Sequence, residues 1–166
     1  MDIKNLTVAN SGELLDLMTA LDNETKFMML EPGERDTSVE SMEKRLLGID
    51  ETMSIYIGAF VDSSLVGFVS LWRDSANRAK HSAYIVIGVI SSYAGKGIGK
   101  LLLREGEKWA KNNGVTRLEL TVMTHNTNAV KLYDKVGFVK EGVKKKSLLV
   151  DGCYVDEFYM AKILCT

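Results

Sequence analysis

The residues best placed to do chemistry form one stretch, Val89-Ile90-Ser91-Ser92-Tyr93-Ala94-Gly95-Lys96-Gly97-Ile98-Gly99-Lys100. An apolar run leads into three alternating glycines, Gly95, Gly97 and Gly99, and a helix-like segment follows at once. Glycines let backbone N–H groups turn inward and let a ligand come close. A helix N-terminus adds partial positive charge, which suits a phosphate or diphosphate. Lys96 and Lys100 add whole charges beside it. A tight strand-to-helix turn with no ligand is the plainer alternative, but it needs fewer glycines than three.

Two common phosphate motifs do not fit. A Walker A loop requires Gly-Lys followed by Ser or Thr, and a further glycine upstream. Here Gly99-Lys100 precedes Leu101, and the upstream position is Ala94. The dinucleotide fingerprint would need glycine at position 100, where Lys100 stands. Glu119 does lie at the distance expected of a ribose-binding acid. The loop nevertheless follows an antiparallel hairpin, and too little chain remains for the second half of a dinucleotide-binding sheet.

These residues need a frame. Ile3 to Val8 reads as a strand, and Leu14, Leu15, Leu17, Met18 and Leu21 give Glu13–Leu21 a helical spacing. Pro32-Gly33 breaks the chain; Thr37 or Ser38 then caps a helix to Leu47, with Glu40 or Glu43 reaching back. Met53–Val61 and Leu65–Trp72 flank Asp62-Ser63-Ser64 as a hairpin. Ala83–Ile90 is almost wholly apolar, as expected of a strand covered on both faces. The helix from Ile98 stops at Asn112-Asn113-Gly114, Arg117–Met123 alternates as a strand, and Asn126–Val136 is a short helix with Gly137 after it. Phe138–Val150 and Tyr154–Ile163 flank Asp151-Gly152, a strong hairpin signal. The order βααβββαβαββ predicts an α/β fold with a mixed sheet.

The 166 residues suit one domain, residues 1–166. Apolar residues are 46% and charged residues 26%, an ordinary globular composition. A net charge of −1 disfavours a dedicated nucleic-acid binder. Cys153 and Cys165 lack metal-ligand spacing, so no metal is expected. No signal pattern or membrane-length apolar run is present, which predicts a cytoplasmic protein.

A second constellation is Asn126-Thr127-Asn128-Ala129-Val130-Lys131-Leu132-Tyr133-Asp134-Lys135-Val136-Gly137-Phe138. On spacing alone, Tyr133 is a core tyrosine of an amphipathic helix. Taken with the glycine loop, however, the segment resembles the GNAT superfamily of acyl-CoA-dependent N-acetyltransferases. The loop is similar to that family's Arg/Gln-x-x-Gly-x-Gly/Ala signature, with Gly97 and Gly99 at the glycines and Ala94 departing at the Arg/Gln position. The helix is similar to Asn-x-x-Ala-x-x-Leu-Tyr-x-Lys-x-Gly-Phe throughout. The tail resembles the branch acting on small amines or protein N-termini.

The resemblance implies a mostly antiparallel sheet of about seven strands, splayed at its centre, with about four helices. It implies acetyl-CoA as co-substrate, transfer to a primary amine, and edge-strand pairing of two copies in some relatives. Backbone groups at Val89 and Ile90 would meet the pantetheine amides. N–H groups from Ala94, Gly95, Lys96, Gly97, Ile98, Gly99 and Lys100 would hold the diphosphate. Asn126 would bond the pantetheine, and Tyr133 would face the sulfur as general acid. The base is open. Relatives with a glutamate twelve residues before the tyrosine have it where Thr121 stands here; others carry it near Tyr84. Glu119, on the face of Thr121, is the candidate base; His125, His81 and a water chain are alternatives. A domain that binds acyl-CoA without efficient catalysis is the competing reading.

Charge adds a substrate hint. Residues 22–51 hold nine acids against four bases, net −5, whereas 94–117 and 131–146 each hold six bases against two acids, net +4. The resemblance places the acidic segment, with Glu24, Glu31, Glu34 and Asp36, over the acceptor. Such a roof would attract a cationic amine; a solvated helix face is the plainer alternative.

Overall fold

Two turns set the hairpins. Asp62 (φ 48°) and Ser63 (φ 66°), and likewise Asp151 (φ 49°) and Gly152 (φ 76°), are left-handed pairs. Two consecutive left-handed residues give a tight turn whose twist matches the flanking strands. The first turn joins β2 (Ser54–Val61) to β3 (Ser64–Arg73), and the second joins β6 (Val139–Val150) to β7 (Cys153–Ile163). A computed structural model describes residues 1–165. Its other strands are β1 (Asp2–Asn5), β4 (Ser82–Val89) and β5 (Arg117–Met123). Its helices are α1 (Ser11–Glu24), α2 (Val39–Leu47), α3 (Ile98–Asn112) and α4 (Thr127–Lys135).

The seven strands form one sheet in the order β1-β2-β3-β4-β5-β7-β6. Every neighbouring pair is antiparallel except β4 and β5. Period-2 alternation sorts the core into two layers. Ile55, Ile57, Val69, Leu71, Ala83, Ile85, Leu118 and Leu120 pack with Leu102, Trp109 and Tyr133 under α3 and α4. Tyr56, Phe60 and Phe68 pack with Leu14, Leu17, Met18 and Leu21 under α1 and α2. The α/β fold, splayed mixed sheet and four helices expected from the sequence are all present.

Several local expectations need correction. β1 ends at Asn5 rather than Val8, because the Asn10 side chain accepts the Thr7 N–H at 3.1 Å and turns the chain into α1. α1 runs past Leu21 to Glu24. Ser38 caps α2 by accepting the Ser41 N–H at 3.2 Å; Glu40 does not reach back but pairs with Lys44 at 2.8 Å along the helix. The central strand β4 is not covered on both faces. Tyr84 and Val86 are 38% and 37% exposed. α1 reaches only the far end of the strand, where a Cβ on Gly88 would stand 2.6 Å from Leu21. Toward Tyr84 that face of the sheet is bare.

Candidate active site

The sheet opens at its centre. β4 and β5 pair over three rungs only, Ser82 with Arg117, Ala83 with Leu118 and Tyr84 with Glu119. Beyond them β4 stays with β3 and β5 with β7. The Ile90 N–H donates to the Val66 carbonyl at 2.9 Å. Alternation then turns the backbone groups of Ile87 and Val89 toward the edge that β5 has left. Ile90 differs from expectation here. Its N–H is held by Val66 and its carbonyl accepts the Tyr93 N–H at 2.9 Å, so only Val89 of the two offers backbone groups to the gap.

The glycine loop starts from an anchor that the sequence does not reveal. Glu24, at the end of α1, accepts the Ser91 N–H at 2.7 Å and the Ser91 hydroxyl at 2.9 Å. The Ala94 N–H donates to the Ser91 carbonyl at 3.0 Å, so Ala94 is not part of the free row expected. The N–H groups of Gly95, Lys96, Gly97, Ile98, Gly99 and Lys100 have no acceptor among the described residues. Gly97, at φ 82°, is the N-cap of α3 in a left-handed conformation that other residues adopt at a cost. Gly99 is needed for packing: a Cβ there would stand 2.9 Å from Leu132 of α4. Six donors at a helix start, with the helix dipole behind them, make an anion cradle. The Lys96 ammonium lies 4.5 Å over the Tyr93 ring. Lys100 and Arg104 line a groove between α3 and α4 with Lys135.

α4 places the second constellation. The Asn126 side-chain oxygen accepts the Ala129 N–H at 3.3 Å, so that atom caps the helix and only the amide nitrogen is left for a ligand. Tyr133 is 7% exposed and packs against Phe138, ring centres 5.8 Å apart. Burial raises its pKa well above the usual tyrosine range, and the nearby Tyr84 phenol pushes the same way. The phenol therefore stays protonated through neutral pH.

On the bare face, Tyr84, Arg117, Glu119, Thr121, Glu141 and Tyr159 line a recess of about 380 Å³. The Tyr84 hydroxyl lies 2.8 Å from Thr121 Oγ1 and accepts the Thr121 N–H at 3.3 Å, bridging β4 and β5 at the head of the gap. Arg117 donates from Nε to Glu119 at 2.9 Å and grips Glu141 through both terminal nitrogens at 2.9 and 2.5 Å. These contacts, led by Glu141, raise the arginine pKa further, and the arginine holds the Glu141 carboxyl below its usual range.

The remaining acid and base candidates are dispersed. His81 lies at the closed end of the β4–β5 pair, where its carbonyl accepts the Thr116 and Arg117 N–H groups. His125 is exposed, with its ring 5.2 Å from Phe27. Carboxylates of the acidic segment are engaged within the chain: Glu24 with Ser91, Glu34 with the Glu31 N–H at 2.7 Å, and Asp36 with the Ser38 N–H at 2.9 Å. That last contact holds the Asp36 carboxyl low. Glu157 was not foreseen. It is 6% exposed on β7 and accepts the Ser147 hydroxyl, which a bulge between Lys144 and Leu148 turns toward it. A carboxylate within an alternating strand gives no sign of such burial; only the bulge reveals it.

Comparison with known proteins accords with this geometry. Residues 16–138 match the model of the Acetyltransferase (GNAT) family, and the chain belongs to that family. It is similar to the L-amino acid N-acetyltransferase AaaT of Escherichia coli, 37% identical over 109 residues, covering 63% of this chain. The match spans 65% of that relative's length, just under two thirds. Among solved structures, a GNAT-family acetyltransferase from Streptococcus pneumoniae superposes with a TM-score of 0.93 at 30% identity, covering 99% of each chain. The Salmonella typhimurium protein yncA, solved with its cofactor acetyl-CoA, superposes at 0.85, covering 100% of this chain and 95% of that one. At 17% identity this second likeness shows the fold alone.

Proposed function

We propose that residues 1–166 act as one catalytic domain, an N-acetyltransferase that moves an acetyl group from acetyl-CoA to a primary amine by direct attack in a ternary complex. One observation carries the reading: the row of unsatisfied N–H groups from Gly95 to Lys100 opens beside a gap in the sheet edged by Val89. A diphosphate fits the row, and an extended amide-bearing arm fits the free strand edge. When bound, acetyl-CoA supplies the thioester carbonyl that the amine attacks.

The chain's own residues do the rest. Val89 and the nitrogen of Asn126 orient the arm, and proximity contributes several kcal/mol of the barrier reduction, on the order of 7 or more in well-aligned systems. Tyr133 holds a proton beside the departing sulfur. A thiol has a pKa near 8.5, below that of this buried phenol, so Tyr133 stabilises the thiolate chiefly by donating a hydrogen bond. Glu119 is the carboxylate nearest the head of the gap; its partner Arg117 keeps it on the wall of the recess. Two carboxylates against one guanidinium leave the recess with net negative charge, which favours a cationic acceptor. The name of the E. coli relative favours a small one.

Engagement of Glu119 by Arg117 is what supports the second reading, a domain that binds acyl-CoA without efficient turnover. Thermal melting with acetyl-CoA tests the first half. At a hundredfold excess over Kd the gain is about 2.7 kcal/mol; no shift with acetyl-CoA, or a shift with NAD or ATP instead, rejects the cradle. Thiol release across a panel of amines tests the second half, since a pure binder shows none above background.

A further inference from the structure

Tyr84 of β4 and Thr121 of β5 are hydrogen-bonded to each other across the head of the gap. A phenol oxygen offers one donor and two acceptor sites. When Tyr84 donates to Thr121 Oγ1 and accepts the Thr121 N–H, one acceptor site remains for a group that enters the recess both residues line. Thr121 keeps its own hydroxyl proton, and its side chain lines the recess with Glu119 and Glu141. Resting on the acetyltransferase reading, we propose that Tyr84 is a catalytic residue and Thr121 its positioning residue, together forming a hydroxyl relay that carries the acceptor ammonium's proton to water in that recess.

The step balances. The ammonium N–H bond breaks and its proton passes to Tyr84 Oη, while Tyr84's own proton moves to Thr121 Oγ1. Thr121's proton leaves to a water of the recess and so to solvent. The amine is left with its lone pair for the thioester. Each hydroxyl ends with one proton and resets by rotation. The titratable groups facing the pair are Glu119 and Arg117 from β5, Glu141 from β6, Tyr159 from β7 and, through the gap, Tyr133 from α4. β3 presents Trp72 opposite Tyr84, which does not titrate. Glu119 and Arg117 neutralise one another along the wall, so the relay delivers to water, and Glu119 biases where that water sits.

The test is a pH series of thiol release with the wild type, Tyr84→Phe, Thr121→Val and the double variant. Removing proton transfer typically costs 100-fold or more, so each single variant is expected to lose about 100-fold in kcat at pH 7. The double variant is expected to lose no more than either single one, because both break one chain. Above about pH 11 an alkylamine is largely neutral, and all four proteins are expected to converge; a merely structural defect would persist at every pH. In the free protein, amide exchange at Thr121 is expected to quicken about fivefold in Tyr84→Phe, the effect of one lost hydrogen bond of about 1 kcal/mol. Wild-type kcat in Tyr84→Phe, losses that multiply in the double variant, a pH-independent loss, or unchanged Thr121 exchange would each overturn the relay. A wild type that binds acetyl-CoA but releases thiol with no amine refutes the enzymatic reading itself, an outcome distinct from the relay failing in an active enzyme.

Discussion

The two sides of the split are built from different material. On the β4–α3 side the groups left free are backbone: N–H donors from Gly95 to Lys100 and the free edge at Val89. On the β5–β7 side they are side chains, Glu119, Thr121 and Tyr159, completed around one recess by Tyr84 reaching over from β4 and Glu141 from β6. A backbone cradle depends on φ/ψ and on where a helix starts, so it tolerates many side-chain identities. Ala94 and Ile98 can stand where they do without loss of a donor row. A side-chain wall changes with each substitution. The first side suits a co-substrate held constant, and the second suits an acceptor that differs from relative to relative.

The sharpest way to break that contrast is Gly97→Val. A β-branched residue at φ 82° is strained by about 1–3 kcal/mol, and relief of the strain would turn donors away from the cradle. Acetyl-CoA affinity is expected to fall at least 100-fold by calorimetry, since hydrogen bonds to a charged group contribute about 1.5–3 kcal/mol each. Unchanged affinity would show that side chains, such as Lys96 and Lys100, hold the diphosphate instead. Next comes Tyr133→Phe. Loss of the proton held beside the sulfur is expected to lower kcat about 100-fold while leaving acetyl-CoA affinity within about twofold, because the ring keeps its packing on Phe138. A fall in affinity with kcat intact would move Tyr133 to the binding side of the comparison.

The contrast also explains what could be read from the chain. The cradle was legible because it is local: strand, glycines and helix lie within one stretch, and Tyr133 is marked by short-range spacing on a single helix. Even there, two N–H groups are engaged within the chain. Ala94 and Ile90 use their N–H groups on Ser91 and Val66, a detail set by the short turn at Ser91–Tyr93. The acceptor wall was not legible because its contacts join distant positions. Tyr84 meets Thr121 across 37 residues, Arg117 meets Glu141 across 24, and Glu24 reaches Ser91 across 67. An apolar run at Ala83–Ile90 suggested a strand covered twice. The bare half of that strand is where the Tyr84 phenol is needed, and an exposed aromatic at a binding face has the same composition as a buried one.

A smaller effect comes from the connection between α1 and α2. Asp22, 3% exposed, is gripped by Arg35 at 2.5 and 2.9 Å, which ties the α1–α2 connection back to α1. Lys26 pairs with Asp151 and Phe27 packs on His125, so the same connection touches the β6–β7 turn and the start of α4. Breaking a fully buried ion pair costs about 3–5 kcal/mol. Arg35 retains some exposure, so Asp22→Asn is expected to cost about 2 kcal/mol in denaturant unfolding. If the connection shapes the acceptor side alone, amine KM is expected to rise while acetyl-CoA affinity holds. Equal loss of both would mean that the two sides are coupled through Glu24 and Ser91.

The smallest expected effect concerns the Arg117 fork. Glu141 lies in solvent with its carboxyl pulled below the ordinary glutamate value, chiefly by the hydrogen bonds from Arg117. A carboxyl with a depressed folded pKa stabilises the fold above its unfolded pKa, near 4.3, and that contribution is lost as pH falls through the lower folded value. The wild type is therefore expected to exceed Glu141→Gln slightly in stability at pH 7, with the gap closing on acidification below about pH 4. Solvent and salt screen an exposed pair, so the gap is also expected to shrink in high salt. Melting curves at pH 7 and pH 3.5, with and without added salt, measure both trends. A gap that survives acid and salt alike would mean that Glu141 acts by packing rather than charge, and the wall of the recess would then owe its geometry to shape instead of to the guanidinium between its two carboxylates.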